Sequence, residues 1–527
     1  MSNSRWLLSA IAALQLAACA QPQPPNIIVI LADDQRFDAL GIASHPVLET
    51  PNIDALAERG MYFENAFVTS AICTPSRTSI LTGQYERKHG VTFGSRSALS
   101  DAAFERTYPM VLRQHGYVAA YIGKNHTPIG LTESGFGYDS GVIESGFDYW
   151  YGNHGHMGFY PKERHPIYAS ATPDTQVEII RDAALNFIRS DKEISQGNPA
   201  LRVRPSGKPF VMLINFNVPH SSGVTSMEQR TEDPDRYRSL YRNEEELFPI
   251  PETYVAYDEI EILRIPKRIY ANEYIESYSY AKKPDTLVEH SLREAQTITG
   301  IDVVVGDIVD ALVDEGIDGN TIIVYLSDHG VLHGEHGLGG KTLLYEEAVR
   351  IPLVIYDPRI RRGAEESRSG NLALNIDIYP TLLDLAGVPL PDGVQGRSLA
   401  PLLRGREVAW REDFFMENLF MGQGYPRIEG VRSENYKYIR YFDPELNRPH
   451  ALALKASIEG EQPVYEELFD LRMDPMERVN LAGDPGATDV LERMRARNRE
   501  LLIEAIGNSG PPDTYLQQAA ADSVPRR

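Results

Sequence analysis

At 527 residues the chain can bury a large core, and length alone points to two or more domains, although large α/β folds also run this long as one. Hydrophobic residues at 42% and charged residues at 24% are ordinary soluble usage, which argues against disordered and fibrous classes. A formal net charge of −22 argues against nucleic acid or an anionic membrane surface as a partner, so an anionic substrate needs a locally basic pocket.

The first segment reads as a signal peptide over residues 1–18. Arg5 supplies a positive charge, Trp6 to Leu16 is mostly apolar, and the run is too short to span a membrane. "LAAC", ending at Cys19, resembles the lipobox of bacterial lipoproteins, which implies export and a lipid anchor on Cys19 at the periplasmic or outer-membrane face of the cell envelope. Residues 19–25, with "AQPQPP", then form a short extended tether. The alternatives are an ordinary cleaved signal with a chance cysteine, or a Cys19–Cys73 disulfide. If Cys19 is the anchor, Cys73 is an unpartnered thiol in an exported protein, a liability unless its chemistry is used.

Two distant runs share one grammar: "NIIVILADD", Asn26 to Asp34, and "NTIIVYLSDHG", Asn320 to Gly330, are β-branched and end abruptly in acids. "PFVMLINFNVPH", Pro209 to His220, is a third such run ending in a histidine. They read as strands buried on both faces of a parallel sheet, whose carboxyl ends carry ligand sites in open α/β folds. "TPNIDALAERG" is a helix with Thr50 as cap and Pro51 in its first turn, and "IDVVVGDIVDALVDEG" is another that feeds the Asn320 strand. Residues 221–289, rich in Tyr, Glu, Arg and Pro, read as an insertion over one rim of the site. Composition shifts near residue 405. The expected organisation is a catalytic α/β domain over 26–405, with a mostly parallel central sheet flanked by helices, and a smaller antiparallel α+β subdomain over 406–510. "YPRIEGVRSENYKYIRYF" in the latter alternates like a hairpin, and residues 511–527 read as a loose tail.

"CTPSRTSILTG" places Cys73 at a helix N-terminus, with Pro75 at the first helical position and Gly83 as the C-terminal cap. Backbone N–H groups there stabilise anions, and Arg77 adds a fixed positive charge one turn on. A phosphatase-type thiolate is excluded, because its loop needs arginine six positions after the cysteine and Ser79 stands there.

"CTPSR" with the following "LTG" resembles the signature of type I formylglycine-dependent sulfatases, within the alkaline phosphatase superfamily. The blocks "NIIVILADDQRFDALG", "GYVAAYIGKNH", "NVPH", "IIVYLSDHG" and "GEHGLGGKTLLYEEAVRIPLVIY" occur in that family's order over nearly the whole mature chain. The resemblance implies an alkaline-phosphatase-like sheet and one Ca²⁺ held by Asp33, Asp34, Asp328 and His329, with modified Cys73 supplying a further oxygen. It also implies a sulfate cradle of Arg77, Lys124, His126, His220 and Lys341, formed around a formylglycine made from Cys73 by a maturase. In the implied mechanism one hydroxyl of the hydrated aldehyde attacks sulfur while Asp328 assists. His220 protonates the leaving alcohol, His126 takes the proton that releases sulfate, and Lys124, Lys341 and Arg77 stabilise the equatorial oxygens. The expected substrate is a sulfated oligosaccharide or polysaccharide, with glycosaminoglycan, mucin and algal glycans such as ulvan all open. Two rivals are a phosphodiester or phosphonate hydrolase on the same scaffold and a glycan-binding pseudoenzyme. His333 and His336 could touch substrate or serve loop structure, and the "HGH" of His154 and His156 is poor evidence for a metal on spacing alone.

Overall fold

The computed structural model describes residues 23–93, 97–132, 137–190, 203–205, 207–270, 276–361, 363, 366–420, 424–444, 457–507 and 514–516. The expected signal peptide, Cys19 and most of the expected tether lie outside these residues. The β-branched runs form strands: Asn26–Asp33 (β1), Phe210–Pro219 (β5) and Thr321–Ser327 (β6). With Met61–Phe63 (β2), Val118–Asn125 (β3), Tyr149–His154 (β4), Leu353–Tyr356 (β7) and Arg368–Ser369 (β8) they make one sheet, in the order β8-β2-β7-β6-β1-β5-β3-β4. β6, β1, β5, β3 and β4 are mutually parallel, and β7 runs against both of its neighbours. β1 and β6 pair from Asn26 with Thr321 to Ala32 with Ser327, which brings both acid-ended turns level.

Every residue of β1, β3, β5 and β6 is buried, because both faces of the sheet are covered. One face carries Pro51–Arg59 (α1), Gln176–Arg189 (α3) and Pro284–Asp314 (α4), whose Ile53, Ile180 and Val305 join a core with Ile28, Ile30, Met212 and Ile323. The other face carries Cys73–Thr82 (α2) and the helices Tyr108–Gln114 and Ile378–Ala386, with Ile80, Leu112 and Leu382 around Val29, Leu213 and Val324. α2 starts at Cys73, so Pro75 is its third residue rather than its first; it is still in the first turn, where a missing N–H costs nothing. Gly83 caps it in the left-handed conformation, φ 66°.

α4 extends the expected helix of residues 301–316 back to Pro284, and the rim segment therefore ends at residue 283 rather than 289. Its first half has a weak apolar period. Leu292, Ala295 and Ile298 are buried by Val47, Leu48, Tyr241 and Phe248, partly from the rim segment itself. The rim is otherwise built of short turns such as Ser221–Val224 and Asp235–Arg238.

Asp413–Asn418 (β9), Ile428–Ser433 (β10), Tyr436–Tyr441 (β11) and Tyr465–Asp470 (β12) form a sequential antiparallel sheet. β10 and β11 are the hairpin that the alternation predicts. Thr488–Ile506 (α5) covers one face through Leu491, Met494 and Leu502 against Phe415, Val431 and Leu468. Buried ion pairs join this sheet to the catalytic layer. Lys437 of β11 lies 2.8 Å from Glu346 and 2.6 Å from Glu477, and Arg87 lies 2.9 Å from Glu417 and 2.6 Å from Glu429. Part of the expected loose tail is a strand: Thr514–Leu516 pairs antiparallel with Ser97–Leu99. No described helix is long and apolar enough to cross a membrane.

Candidate active site

Five adjacent parallel strands each deliver a polar side chain from the same edge of the sheet. In spatial order these are His329 and Asp328 after β6, Asp33 and Asp34 at the end of β1, His220 after β5, Lys124 and His126 at the end of β3, and His156 after β4. The carboxyl ends of parallel strands place the site, as the sequence predicts. Two backbone features aim these groups. Asp34 has φ 65°, a left-handed turn that carboxylate residues tolerate. Gly123 has φ 88°, and a Cβ there would meet the Asn215 carbonyl oxygen at 2.0 Å, so only glycine lets β3 deliver Lys124 this close to β5.

α2 points Cys73 into the same space. Its Sγ is 3.0 Å from Lys341 Nζ and 3.5 Å from His329 Nε2, and the residue is fully buried. Around it three carboxylates meet three fixed cations. Lys124 Nζ pairs with Asp33 Oδ2, Lys341 Nζ lies 3.0 Å from Asp34 Oδ1, and Arg77 Nε donates to Asp328 Oδ2 at 2.7 Å. Asp34 also accepts from the Tyr278 hydroxyl at 3.1 Å, and its own N–H donates to Asp328 Oδ1 at 3.1 Å.

These contacts set the protonation pattern. Burial opposes ionisation of Asp33, yet Lys124, His220 and Arg77 hold its carboxyl well below the usual range. Asp328 is pushed up by burial and by the charge of Asp33. Against the cost of burial, Asp328 and Asp34 raise His329 to about 9. Burial, with Lys124 beside one and Lys341 beside the other, drives His126 and His220 well below the ordinary imidazole value. Ring tautomers follow from partners. His329 Nδ1 faces the Gly330 carbonyl oxygen at 2.8 Å and must donate, which leaves Nε2 as the coordinating nitrogen once deprotonated. His220 Nδ1 accepts from the Ser222 N–H at 3.0 Å, so its proton sits on Nε2, facing Asp34 Oδ2 at 3.7 Å.

The donor set fits a hard divalent cation. Ligand atoms of Asp33, Cys73, Asp328 and His329 lie within 4.8 Å of one another, as do those of Asp33, Asp34, Cys73 and His220. Asp33 Oδ1 is buried with no hydrogen-bond partner, a costly state that a cation relieves. Cys73 Sγ marks where an oxygen of a modified residue 73 would stand.

All ten sequence-predicted residues, Asp33, Asp34, Cys73, Arg77, Lys124, His126, His220, Asp328, His329 and Lys341, thus converge. His333 and His336 do not join them: His333 turns to Glu294 of α4 at 3.5 Å, and His336 packs on Tyr345 with centroids 5.4 Å apart. Two residues escaped sequence reasoning. Tyr278 arrives from the aperiodic rim segment, where no period predicts placement. His156 carries only a weak metal pattern by spacing, although the strand-end rule that finds the other residues applies equally to "YWYGNH" and its turn.

The sulfatase family model matches residues 25–388, more than half of the chain. The chain belongs to the sulfatase family. A second model, for the C-terminal part of N-sulphoglucosamine sulphohydrolase, matches residues 334–451 of this sulfatase. The N-acetylglucosamine-6-O-sulfatase of Bacteroides thetaiotaomicron is 28% identical over an alignment covering 92% of the chain and 88% of that relative. An ulvan-active sulfatase of Formosa agariphila is 26% identical, over 94% and 85%. The solved structure of a protein in complex with its substrate D-glucosamine-2-N,6-O-disulfate superposes with a TM-score of 0.65 at 23% identity, covering 93% of this chain and 99% of that one. This sulfatase is therefore a sulfuric ester hydrolase on the fold its sequence predicts. Sulfatases of this family generally use a formylglycine and a divalent metal.

Proposed function

We propose that the enzyme removes sulfate from a sulfated sugar, with Cys73 oxidised to formylglycine and with Ca²⁺ held by Asp33, Asp34, Asp328 and His329. The observation that carries this reading is the seat of Cys73. It opens a buried helix in "CTPSR", touches Lys341 and His329, and faces three carboxylates, one oxygen of which is orphaned. Formylglycine supplies a hydrated aldehyde as nucleophile, and Ca²⁺ supplies Lewis-acid stabilisation of the negative charge gathered there.

The chain's own groups account for the rest. Lys341, 3.0 Å from Cys73 Sγ, and Lys124, paired with Asp33, bind the sulfate oxygens common to all substrates. Arg77, fixed on Asp328, adds charge from beneath. His220 presents Nε2–H toward the leaving oxygen; it acts as an acid once a second proton sits on Nδ1, which Ser222 Oγ at 3.0 Å can accept, and the incoming sulfate's negative charge offsets the burial and the Lys341 field that hold its basicity down. His126 Nδ1 is buried and has no hydrogen-bond partner, so it is free to accept the proton of the second half-reaction.

A sugar is supported by relatives named for N-acetylglucosamine 6-sulfate and ulvan. Export as an envelope lipoprotein anchored at Cys19 is supported by Arg5, the apolar run and "LAAC". Incubation of matured enzyme with N-acetylglucosamine 6-sulfate, galactose 6-sulfate and sulfated glycosaminoglycan and ulvan oligosaccharides tests the substrate class. Sulfate release from at least one supports it, while release from none by an enzyme active on nitrophenyl sulfate refutes it.

A further inference from the structure

His156 follows β4, the edge strand of the parallel set, and so reaches the site from the same side as Lys124 and His220. Its ring lies between those of His126 and His220, with centroids 4.7 and 4.4 Å away. Its Nδ1 is 3.3 Å from Lys124 Nζ. An ammonium can only donate, so Nδ1 accepts and Nε2 carries the ring proton. His126 and His220 are 4% and 5% exposed, whereas His156 is open to solvent. The three imidazoles therefore lead from the catalytic floor to the mouth.

In the reading above, sulfur sits against residue 73 with its oxygens on Lys124 and Lys341, and the leaving oxygen faces His220. Whatever that oxygen carries must pass outward from His220. His156 is the next imidazole on that path, on an exposed residue and with an N–H to offer. We propose that His156 is a substrate-binding residue that donates from Nε2 to an oxygen of the sugar beside the scissile ester, and so favours sugar sulfates over simple aryl sulfates. This rests on the sulfated-sugar reading, and it is distinct from the sulfate-binding role given to Lys124.

The test is kcat/KM for wild type, His156→Ala and His156→Asn on N-acetylglucosamine 6-sulfate, galactose 6-sulfate and 4-nitrophenyl sulfate, each normalised to its formylglycine content. Loss of one neutral hydrogen bond to substrate predicts a roughly three- to tenfold fall for His156→Ala on the better-cleaved sugar, carried mainly by KM. Nitrophenyl sulfate should be little affected. His156→Asn, which keeps an N–H donor and an acceptor for Lys124, should recover part of the loss. Equal losses on sugar and aryl sulfate would overturn the proposal, since His156 would then act through Lys124 or the fold, and so would an unchanged rate on the sugar. Wild type that cleaves nitrophenyl sulfate but neither sugar would remove the sugar reading itself and this inference with it.

Discussion

On the proposed reading the chemistry turns on Cys73, a fully buried thiol 3.0 Å from Lys341 Nζ and 3.5 Å from His329 Nε2. Mass analysis of the peptide carrying residue 73, after co-expression with a maturase, should show aldehyde in place of thiol. An active enzyme carrying only unmodified cysteine would refute the assignment. Cys73→Ser should keep the melting temperature and lose turnover in a host that cannot oxidise serine. His220 is separable from its neighbours by leaving group. A sugar alkoxide needs a proton as the S–O bond breaks and a nitrophenolate does not. His220→Ala should therefore lose on the order of 10²–10⁴-fold on a sulfated sugar and far less on nitrophenyl sulfate, and equal losses would make His220 a sulfate binder instead. At this scale the sequence is legible where a β-branched run or a helix start marks the position, as for Asp33, His220 and Cys73, and not for His156, which follows the aromatic run of β4. Tyr278 is not legible either, since its hydroxyl reaches Asp34 from a segment whose path is set by tertiary packing alone.

Among the elements, the joint between the catalytic layer and β9–β12 is held by buried charge rather than by apolar surface alone. Lys437 lies between Glu346 and Glu477, and removing it leaves Glu477 without its cation beside Glu346, which keeps Arg432 at 3.4 Å. Lys437→Met keeps the volume and should destabilise by about 3 kcal/mol or more, read from urea unfolding; a change near zero would show that water solvates the pair. Glu347 beside them is raised by burial and by the charges of Glu335 and Glu477 to about 8. A carboxyl raised in the fold binds its proton more tightly there than in the unfolded chain. Its stabilising effect is complete below the unfolded value and fades as pH climbs through about 8. Glu347→Gln should accordingly flatten the fall in melting temperature between mildly acidic and alkaline buffer, and an unaltered slope would place the titration elsewhere. The strands and the β10–β11 hairpin could be read from sequence because period and β-branching report on their own burial. The first half of α4 could not, because the rim segment buries it, and the pairing of Thr514–Leu516 depends on a partner strand more than four hundred residues away.

For the molecule as a whole, a net charge of −22 coexists with a site whose three acids are matched by two lysines and an arginine. The site, with its acids matched by fixed cations, is thus a local exception in an acidic protein. Removal of divalent cations with a chelator should abolish turnover and lower the melting temperature, with calcium restoring both. Asp34→Asn should weaken metal binding and activity together, and full activity in metal-free protein would contradict the donor set. Rate separates sulfate-ester hydrolysis from the rival phosphodiester and phosphonate classes. The most direct measurement is kcat/KM of one matured preparation on 4-nitrophenyl sulfate, 4-nitrophenyl phosphate and 4-nitrophenyl phenylphosphonate, alongside a Cys73→Ala control. The account predicts that the sulfate ester is turned over fastest and that the control is inactive on all three. Faster turnover of the phosphonate or phosphate, or sulfate release that survives Cys73→Ala, would contradict it.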